Sequence, residues 1–411
     1  MTAYTEIQSC RVSGETDLVT FLNLGNQKLT GVFPKPNEEI GAGPLELVWS
    51  PSSYLVQLKH TYEPTDMYGD NYGYLSSLNN SMIQHLVQKA NYLTELANLK
   101  DGDVVVDIGS NDCTFLKALP VFTQRIGIDP TIKKFSHYYP EEISYVADFF
   151  SENAYRSVEK SKNAKLVTSI SCFYDLDDPV SFVKDIHSIL ADDGLWHFEQ
   201  AYLPSTLRSL SYDTGCHEHI EYYSMLSVEN ILNRAGMRIV DVTLNDINGG
   251  SFAVTACKAE NTSIEENVAV INWLIEEEYR MGLHTVKPYF EFAQRTYEHR
   301  NSLVELVKSL RSEGKTIYGY GASTKGNVLL QWCGFTSDDI AAIGEVNPDK
   351  FGCVTPGTNI PIISEQEVKD MKPDYMIVLP WHFKNGIIQR EKDYLNSGGK
   401  FIFPLPYIQI I

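Results

Sequence analysis

Two segments carry residues whose types and spacing can do chemistry. The first is Val104-Val105-Val106-Asp107-Ile108-Gly109-Ser110-Asn111-Asp112-Cys113, an apolar run that ends in an acid and a glycine turn. Without a Cβ, Gly109 lets a ligand come close to the backbone. A second acid closes Arg125-Ile126-Gly127-Ile128-Asp129-Pro130, at about the 20-residue spacing where a carboxylate meets ribose hydroxyls. Asp107 and Asp112 repel a pyrophosphate and suit a ligand with an ammonium and a sulfonium. The corner, with Ser110 and Asn111 in its turn, therefore points to S-adenosylmethionine. The second segment is Tyr212-Asp213-Thr214-Gly215-Cys216-His217-Glu218-His219-Ile220-Glu221-Tyr222-Tyr223. Histidine titrates near neutral pH, and an adjacent carboxylate can orient it and raise its basicity. Acid–base catalysis and local loop hydrogen bonding fit this spacing about equally. A metal site ranks lower: residues at i and i+2 share a face of a strand but not of a helix, and no third ligand is evident.

Three weaker features follow. Asn248-Gly249-Gly250 is a permissive turn that can present N–H groups to a ligand, although a plain hairpin turn explains it as well. Tyr320, Ser323, Thr324, Lys325 and Asn327 lie in Gly319-Tyr320-Gly321-Ala322-Ser323-Thr324-Lys325-Gly326-Asn327. Free N–H groups at a helix start, hydroxyls and one lysine make an anion site there, suited to a phosphate of a nucleotide-linked substrate. The Walker spacing is absent, which disfavours an NTPase. Trp381-His382-Phe383-Lys384 follows a strand, at the end where open α/β sheets bind ligands, so His382 and Lys384 are candidate substrate contacts.

These residues need elements to position them. The chain has 411 residues, enough for two or three domains. Residues 1 to 78 read as short strands with turn signals, among them 18–22, 45–49 and 54–58. Residues 79 to 260 alternate helix and strand patterns, with strands at 165–170, 194–199, 237–242 and 251–256 and a helix at 179–190. Alternation of this kind gives an α/β fold with a mostly parallel sheet. From 261 a long helix runs to Arg311, and a second Rossmann-like unit follows with strands at 316–320, 341–346, 375–379 and 400–403. The net charge of −19 argues against nucleic acid or an anionic membrane as partner. No apolar run is long enough to span a bilayer. The N-terminus lacks the pattern of a secretory signal, and seven scattered cysteines fit a reducing cytoplasm.

Taken in order, Tyr72-Gly73-Tyr74-Leu75-Ser76-Ser77, the Asp107–Asp112 turn, His217-Glu218-His219, Asn248-Gly249-Gly250-Ser251 and the Gly319–Asn327 run resemble the SAM-dependent sugar C-methyltransferases. Those of the tetronitrose and mycarose type methylate C3 of nucleotide-linked 4-keto-6-deoxy sugars. The resemblance covers nearly the whole chain. It implies a small N-terminal zinc-type domain, a class I methyltransferase domain and a C-terminal Rossmann-like domain. It places the catalytic base at His219 with Glu218 beside it, and Tyr72 or Tyr74 near the cofactor and sugar. It assigns Asp129 to the ribose, and it sets Asp148, in the run with Phe149, near the adenine. His217, Tyr174 and Asn248 are its candidate donors to an enolate oxygen.

The chain also departs from the family pattern. The family's two Cys-x-x-Cys pairs are here Cys10 with Ser13 and Ser50 with Ser53. A hydroxyl is a poor zinc ligand, so the expectation is no zinc. The alternatives are an O- or N-methyltransferase with the same cofactor, or a degenerate scaffold that binds a sugar nucleotide without turnover. Three domains enclosing a cleft are compatible with a monomer.

Overall fold

The computed structural model describes residues 4–63 and 75–411. Tyr72 and Tyr74 lie outside the described residues.

The apolar run Val104–Ile108 is buried at all five positions, as a strand covered on both faces should be. It sits inside a seven-stranded sheet whose order is Met237–Asn245, Ser251–Lys258, Leu190–Ala201, Ala164–Ile170, Val104–Ile108, Gln124–Ile128, Ser144–Val146. The last five of these are mutually parallel. Ser251–Lys258 is antiparallel to both of its neighbours. The chain leaves Val104–Ile108 toward one edge and returns on its other side at Ala164–Ile170. That reversal opens a crevice at the carboxyl ends of these two strands.

A four-stranded antiparallel sheet gathers Val19–Lys28, Ala42–Trp49, Val56–Leu58 and, from far along the chain, Glu221–Tyr222. The histidine-rich segment thus runs directly into the edge strand of the N-terminal unit, and Leu58 N–H donates to the Ile220 carbonyl at 2.8 Å. The C-terminal sheet has the order Ile362–Ser364, Ile343–Glu345, Ile317–Tyr320, Tyr375–Val378, Lys400–Phe403, Gln409–Ile410. All its pairings are parallel except the last.

The expected single helix from 261 to Arg311 is instead two, Val268–Arg280 and Lys287–Ser312. Gly282 adopts φ +78 between them, a left-handed position that suits glycine. Pro288 then enters the first turn of the second helix, where its missing N–H costs nothing.

One apolar core runs from Trp49 and Leu58 through Tyr289 and Phe292 of that second helix to Ile377 and Phe401 of the C-terminal sheet. The central sheet keeps its own cores on its two faces. Among the described residues no helix is long and apolar enough to cross a membrane.

Candidate active site

The crevice begins at Asp107, which is buried and accepts a 2.6 Å hydrogen bond from the Thr168 hydroxyl. Burial pushes its carboxyl up to about 7. Gly109 has φ +73, and a Cβ there would lie 2.9 Å from Cys172 Cβ. The turn is therefore closed to any side chain and held against the end of the neighbouring strand. Asn111 N–H donates to Asp129 Oδ2 at 2.9 Å, and Asp129 Oδ1 accepts both the N–H and the hydroxyl of Thr131 at 2.6 Å. Ser110 and Tyr139 share a hydroxyl hydrogen bond of 2.8 Å. Two backbone N–H groups dock beside the turn: Ser76 onto Asn111 Oδ1 at 3.0 Å and Ser77 onto Asp112 Oδ2 at 2.8 Å. Asp148 and Phe149 are exposed one strand further along, after Ser144–Val146. The crevice is acidic, bare of Cβ at Gly109 and flanked by an exposed aromatic ring. Those features fit a cationic nucleoside cofactor.

The segment from Cys172 leads to the second half of the site. Tyr174, two residues on, packs its ring edge-on against His219 with centroids 4.4 Å apart. His219 Nδ1 lies 3.2 Å from the Thr214 carbonyl. A carbonyl only accepts, so the proton sits on Nδ1 and Nε2 carries the lone pair. Nε2 makes no hydrogen bond among the described residues. Burial, reinforced by the nearby Lys325 charge, lowers this imidazole to about 4, which keeps it neutral at physiological pH.

Lys325 reaches in from the C-terminal unit, and its ammonium donates to the Asn248 carbonyl at 3.2 Å. Asn248 has φ +54, a conformation asparagine tolerates. The adjoining Gly249 faces Trp381 and His382. Trp381 donates its indole N–H to Asp213 at 2.8 Å, and Asp213 adjoins Thr214. A chain of contacts therefore runs from Tyr174 and His219 through Thr214, Asp213, Trp381 and His382 to the Asn248 turn and Lys325, whose charge is felt at His219.

Other expected residues stand elsewhere. The chain bends at 217–218, so the two histidines do not share a face. His217 is fully buried against Tyr62, with ring centroids 4.8 Å apart, and its Nε2 lies 3.3 Å from the Gly43 carbonyl. It supports the N-terminal sheet and is not a donor in the crevice. Glu218 does not bond to His219. Its carboxylate lies over Gly31, too close for a Cβ to fit, and burial raises its pKa. The Thr214 carbonyl, not Glu218, orients the His219 ring. Tyr320 donates to Glu391 at 2.9 Å and accepts from Arg390, so an ion network occupies it. Lys384 holds Gln409 and lies over Phe403. Asn327 bonds the Thr30 carbonyl at 2.8 Å, tying two units together. Ser323 caps its own helix, accepting from Gly326 N–H at 3.0 Å, and Thr324 opens that helix beside Gly31. No group of three or more His, Cys, Asp or Glu residues fit to hold a metal occurs among the described residues. Sequence reasoning did not single out Asp213, Thr214 or Trp381. Only the chemical density of the 212–223 segment signalled the first two.

Comparison with known proteins then bears on the whole chain. Residues 82–242 match a family described as a methyltransferase domain, and residues 246–406 match one described as a C-methyltransferase C-terminal domain. C-methyltransferase NovU of Streptomyces niveus is 33% identical over 410 residues, covering 98% of this chain and 97% of that protein. The chain belongs to the C-methyltransferase family. It is a SAM-dependent methyltransferase, with the α/β architecture expected. Solved structures show fainter likeness. A putative methyltransferase in complex with the Trm112 activator of Haloferax volcanii is 14% identical, with 44% of this chain and 94% of that chain covered at a TM-score of 0.34. The plantazolicin methyltransferase BpumL in complex with SAH is 13% identical, with 42% and 82% covered at 0.33.

Residues 10–68 of the C-methyltransferase match a family described as a putative zinc binding domain. The donor set does not fit zinc. Cys10 Sγ faces Ser53 Oγ at 3.0 Å, and Ser13 and Ser50 supply hydroxyls at the other two positions. One thiol and three neutral hydroxyls are not the four thiolate or imidazole ligands that structural zinc requires.

Proposed function

We propose that this C-methyltransferase methylates a carbon next to the ketone of a nucleotide-linked 4-keto-6-deoxy sugar, at C3. The observation that carries the reading is His219: a neutral imidazole with Nδ1–H fixed on a carbonyl, Nε2 without a hydrogen bond among the described residues, and a ring packed on the segment beside the Gly109 turn. Such a base removes a proton from carbon only where a neighbouring ketone acidifies it. General base catalysis of this kind supplies about 10²–10⁴-fold. The Gly249 and Gly250 N–H groups close onto the Asp246 and Ile247 carbonyls, so Tyr174 and the Asn248 side-chain amide are the donors proposed for the developing oxyanion. Asp107 and Asp129 hold the cofactor's amino acid and ribose ends, and Asp148 and Phe149 flank its adenine. S-adenosylmethionine, when bound there, supplies an electrophilic methyl group on a sulfonium.

We further read the chain as three units, 1–78, 79–260 and 261–411, acting as a monomer without zinc. Seven free cysteines fit a cytoplasmic setting. The test is mass spectrometry of the full chain incubated with S-adenosylmethionine and a panel of nucleotide-linked 4-keto-6-deoxy sugars. A gain of one CH2 on a sugar carbon, with S-adenosylhomocysteine formed, supports the reading. Methylation only on oxygen or nitrogen overturns it.

A further inference from the structure

We propose that Lys325 is a catalytic residue whose ammonium neutralises the enolate oxygen, in place of the phosphate anchor that its sequence context suggests. The proposal rests on the function proposed above. Lys325 crosses from the C-terminal unit to the Asn248 carbonyl at 3.2 Å, on the same chain of contacts as His219. Asp213, Cys216, His219 and His382 are the titratable groups within reach of its charge. His382 Nδ1 and Asp213 Oδ1 are buried there without a hydrogen-bond partner among the described residues, leaving polar capacity for a bound polyol.

The turn before Lys325 is poorly suited to a phosphate. Ala322 N–H donates to Glu345 at 2.8 Å, and the same carboxylate takes the N–H groups of Val346 and Asn347 at 2.7 and 2.8 Å. An anion of the protein's own occupies that position and repels another. In the step, the C3–H bond breaks and its proton goes to His219 Nε2. The electron pair forms C3=C4, and the carbonyl pair moves onto the C4 oxygen beside Lys325.

The test compares Lys325→Met and Lys325→Arg with the native chain, using a thymidine-diphosphate-linked 4-keto-6-deoxyhexose. Solvent deuterium exchange at C3 and steady-state methylation are both followed. Lys325→Met is expected to lose exchange and about 10²–10³-fold in kcat, with KM within about threefold. Lys325→Arg, which keeps the charge, is expected to recover part of both. A KM raised tenfold or more with kcat and exchange unchanged makes Lys325 an anchor and overturns the proposal. A native chain that neither exchanges nor methylates any sugar of the panel overturns the proposed function, and this assignment with it.

A different observation carries a second inference. The N-terminal unit forms two tight turns, closed by Gly14 N–H on the Cys10 carbonyl at 2.9 Å and Tyr54 N–H on the Ser50 carbonyl at 2.8 Å. Gly14 and Tyr54 adopt φ +75 and +60. Val12, Glu15 and Leu55 N–H groups point at Cys10 Sγ, Ser13 Oγ and Ser53 Oγ at 3.4, 3.2 and 3.3 Å. In the middle, Ser52 bonds Ser13 at 2.7 Å and Ser50 at 3.0 Å, while Asp17 accepts from the Ser50 hydroxyl at 2.8 Å and from Ser52 N–H at 2.9 Å. We infer that this hydroxyl–carboxylate network centred on Asp17 holds the two turns together in place of a metal.

Elemental analysis of the full chain purified with added zinc is expected to find none bound. Ser13→Cys/Ser50→Cys/Ser53→Cys is expected to hold about one zinc per chain. Asp17→Ala is expected to lower Tm of the native chain by roughly 2–4 °C and to leave the zinc-loaded triple variant unchanged. Stoichiometric zinc in the native chain, or no zinc in the triple variant, contradicts the inference. So does an unaltered native Tm on losing Asp17.

Discussion

In the proposed reaction His219 is the base, and its environment sets the pH at which it would work. The imidazole is lowered to about 4 by burial and the Lys325 charge, so the neutral, proton-accepting form predominates above that value. The acid limb of kcat/KM is therefore expected near pH 4–5, well below the 6.5 of a free histidine. A pH–rate profile with its acid limb at 6.5 contradicts this environment. His219→Ala is expected to bind S-adenosylmethionine normally by calorimetry and to lose at least 10²-fold in turnover. Family resemblance named His219 as base with Glu218 beside it, whereas the structure sends Glu218 to Gly31 and sets the Thr214 carbonyl against the His219 ring. Backbone bending at 217–218 sends three adjacent side chains to three different places, and side-chain direction through an irregular bend is not encoded in spacing. The Asp213–Trp381 hydrogen bond joins residues 168 positions apart, which no local pattern reveals.

The strand–turn–strand corner around Val104–Ile108 was legible because every cue there is local: a β-branched buried run, a glycine, and a second strand ending in an acid. The same holds for Lys400–Phe403, whose bounds agree with the sequence reading. The helix after 261 was legible in kind but not in continuity, since Gly282 and Pro288 interrupt an otherwise unbroken helical pattern. In the proposed site Gly109 is where the element and the cofactor meet. Gly109→Ala places a Cβ 2.9 Å from Cys172 in a left-handed conformation, which costs about 1–2 kcal/mol. It is expected to weaken S-adenosylmethionine binding tenfold or more in a calorimetric titration; unchanged affinity shows that the turn does not shape the site.

At the scale of the molecule, the N- and C-terminal units lean on one core. Trp49 packs on Tyr289 with centroids 5.5 Å apart, Gln331 bonds both backbone groups of Lys28, and Glu221–Tyr222 completes the N-terminal sheet. A fragment of residues 1–63 is therefore expected to lack fixed tertiary structure by near-ultraviolet circular dichroism. A native-like spectrum from the fragment argues against a shared core. The same arrangement carries Lys325 and His382 across toward His219, so the candidate site is a property of the assembled chain rather than of the central sheet alone.

The central claim is that His219 makes a carbanion beside a ketone. It is tested most directly by incubating the native chain and His219→Ala with a nucleotide-linked 4-keto-6-deoxy sugar in D2O and reading deuterium at C3 by mass spectrometry. The native chain is predicted to exchange C3 and, given S-adenosylmethionine, to methylate it, whereas His219→Ala does neither. Methyl transfer without any exchange-competent carbon, or normal exchange in His219→Ala, would contradict the account.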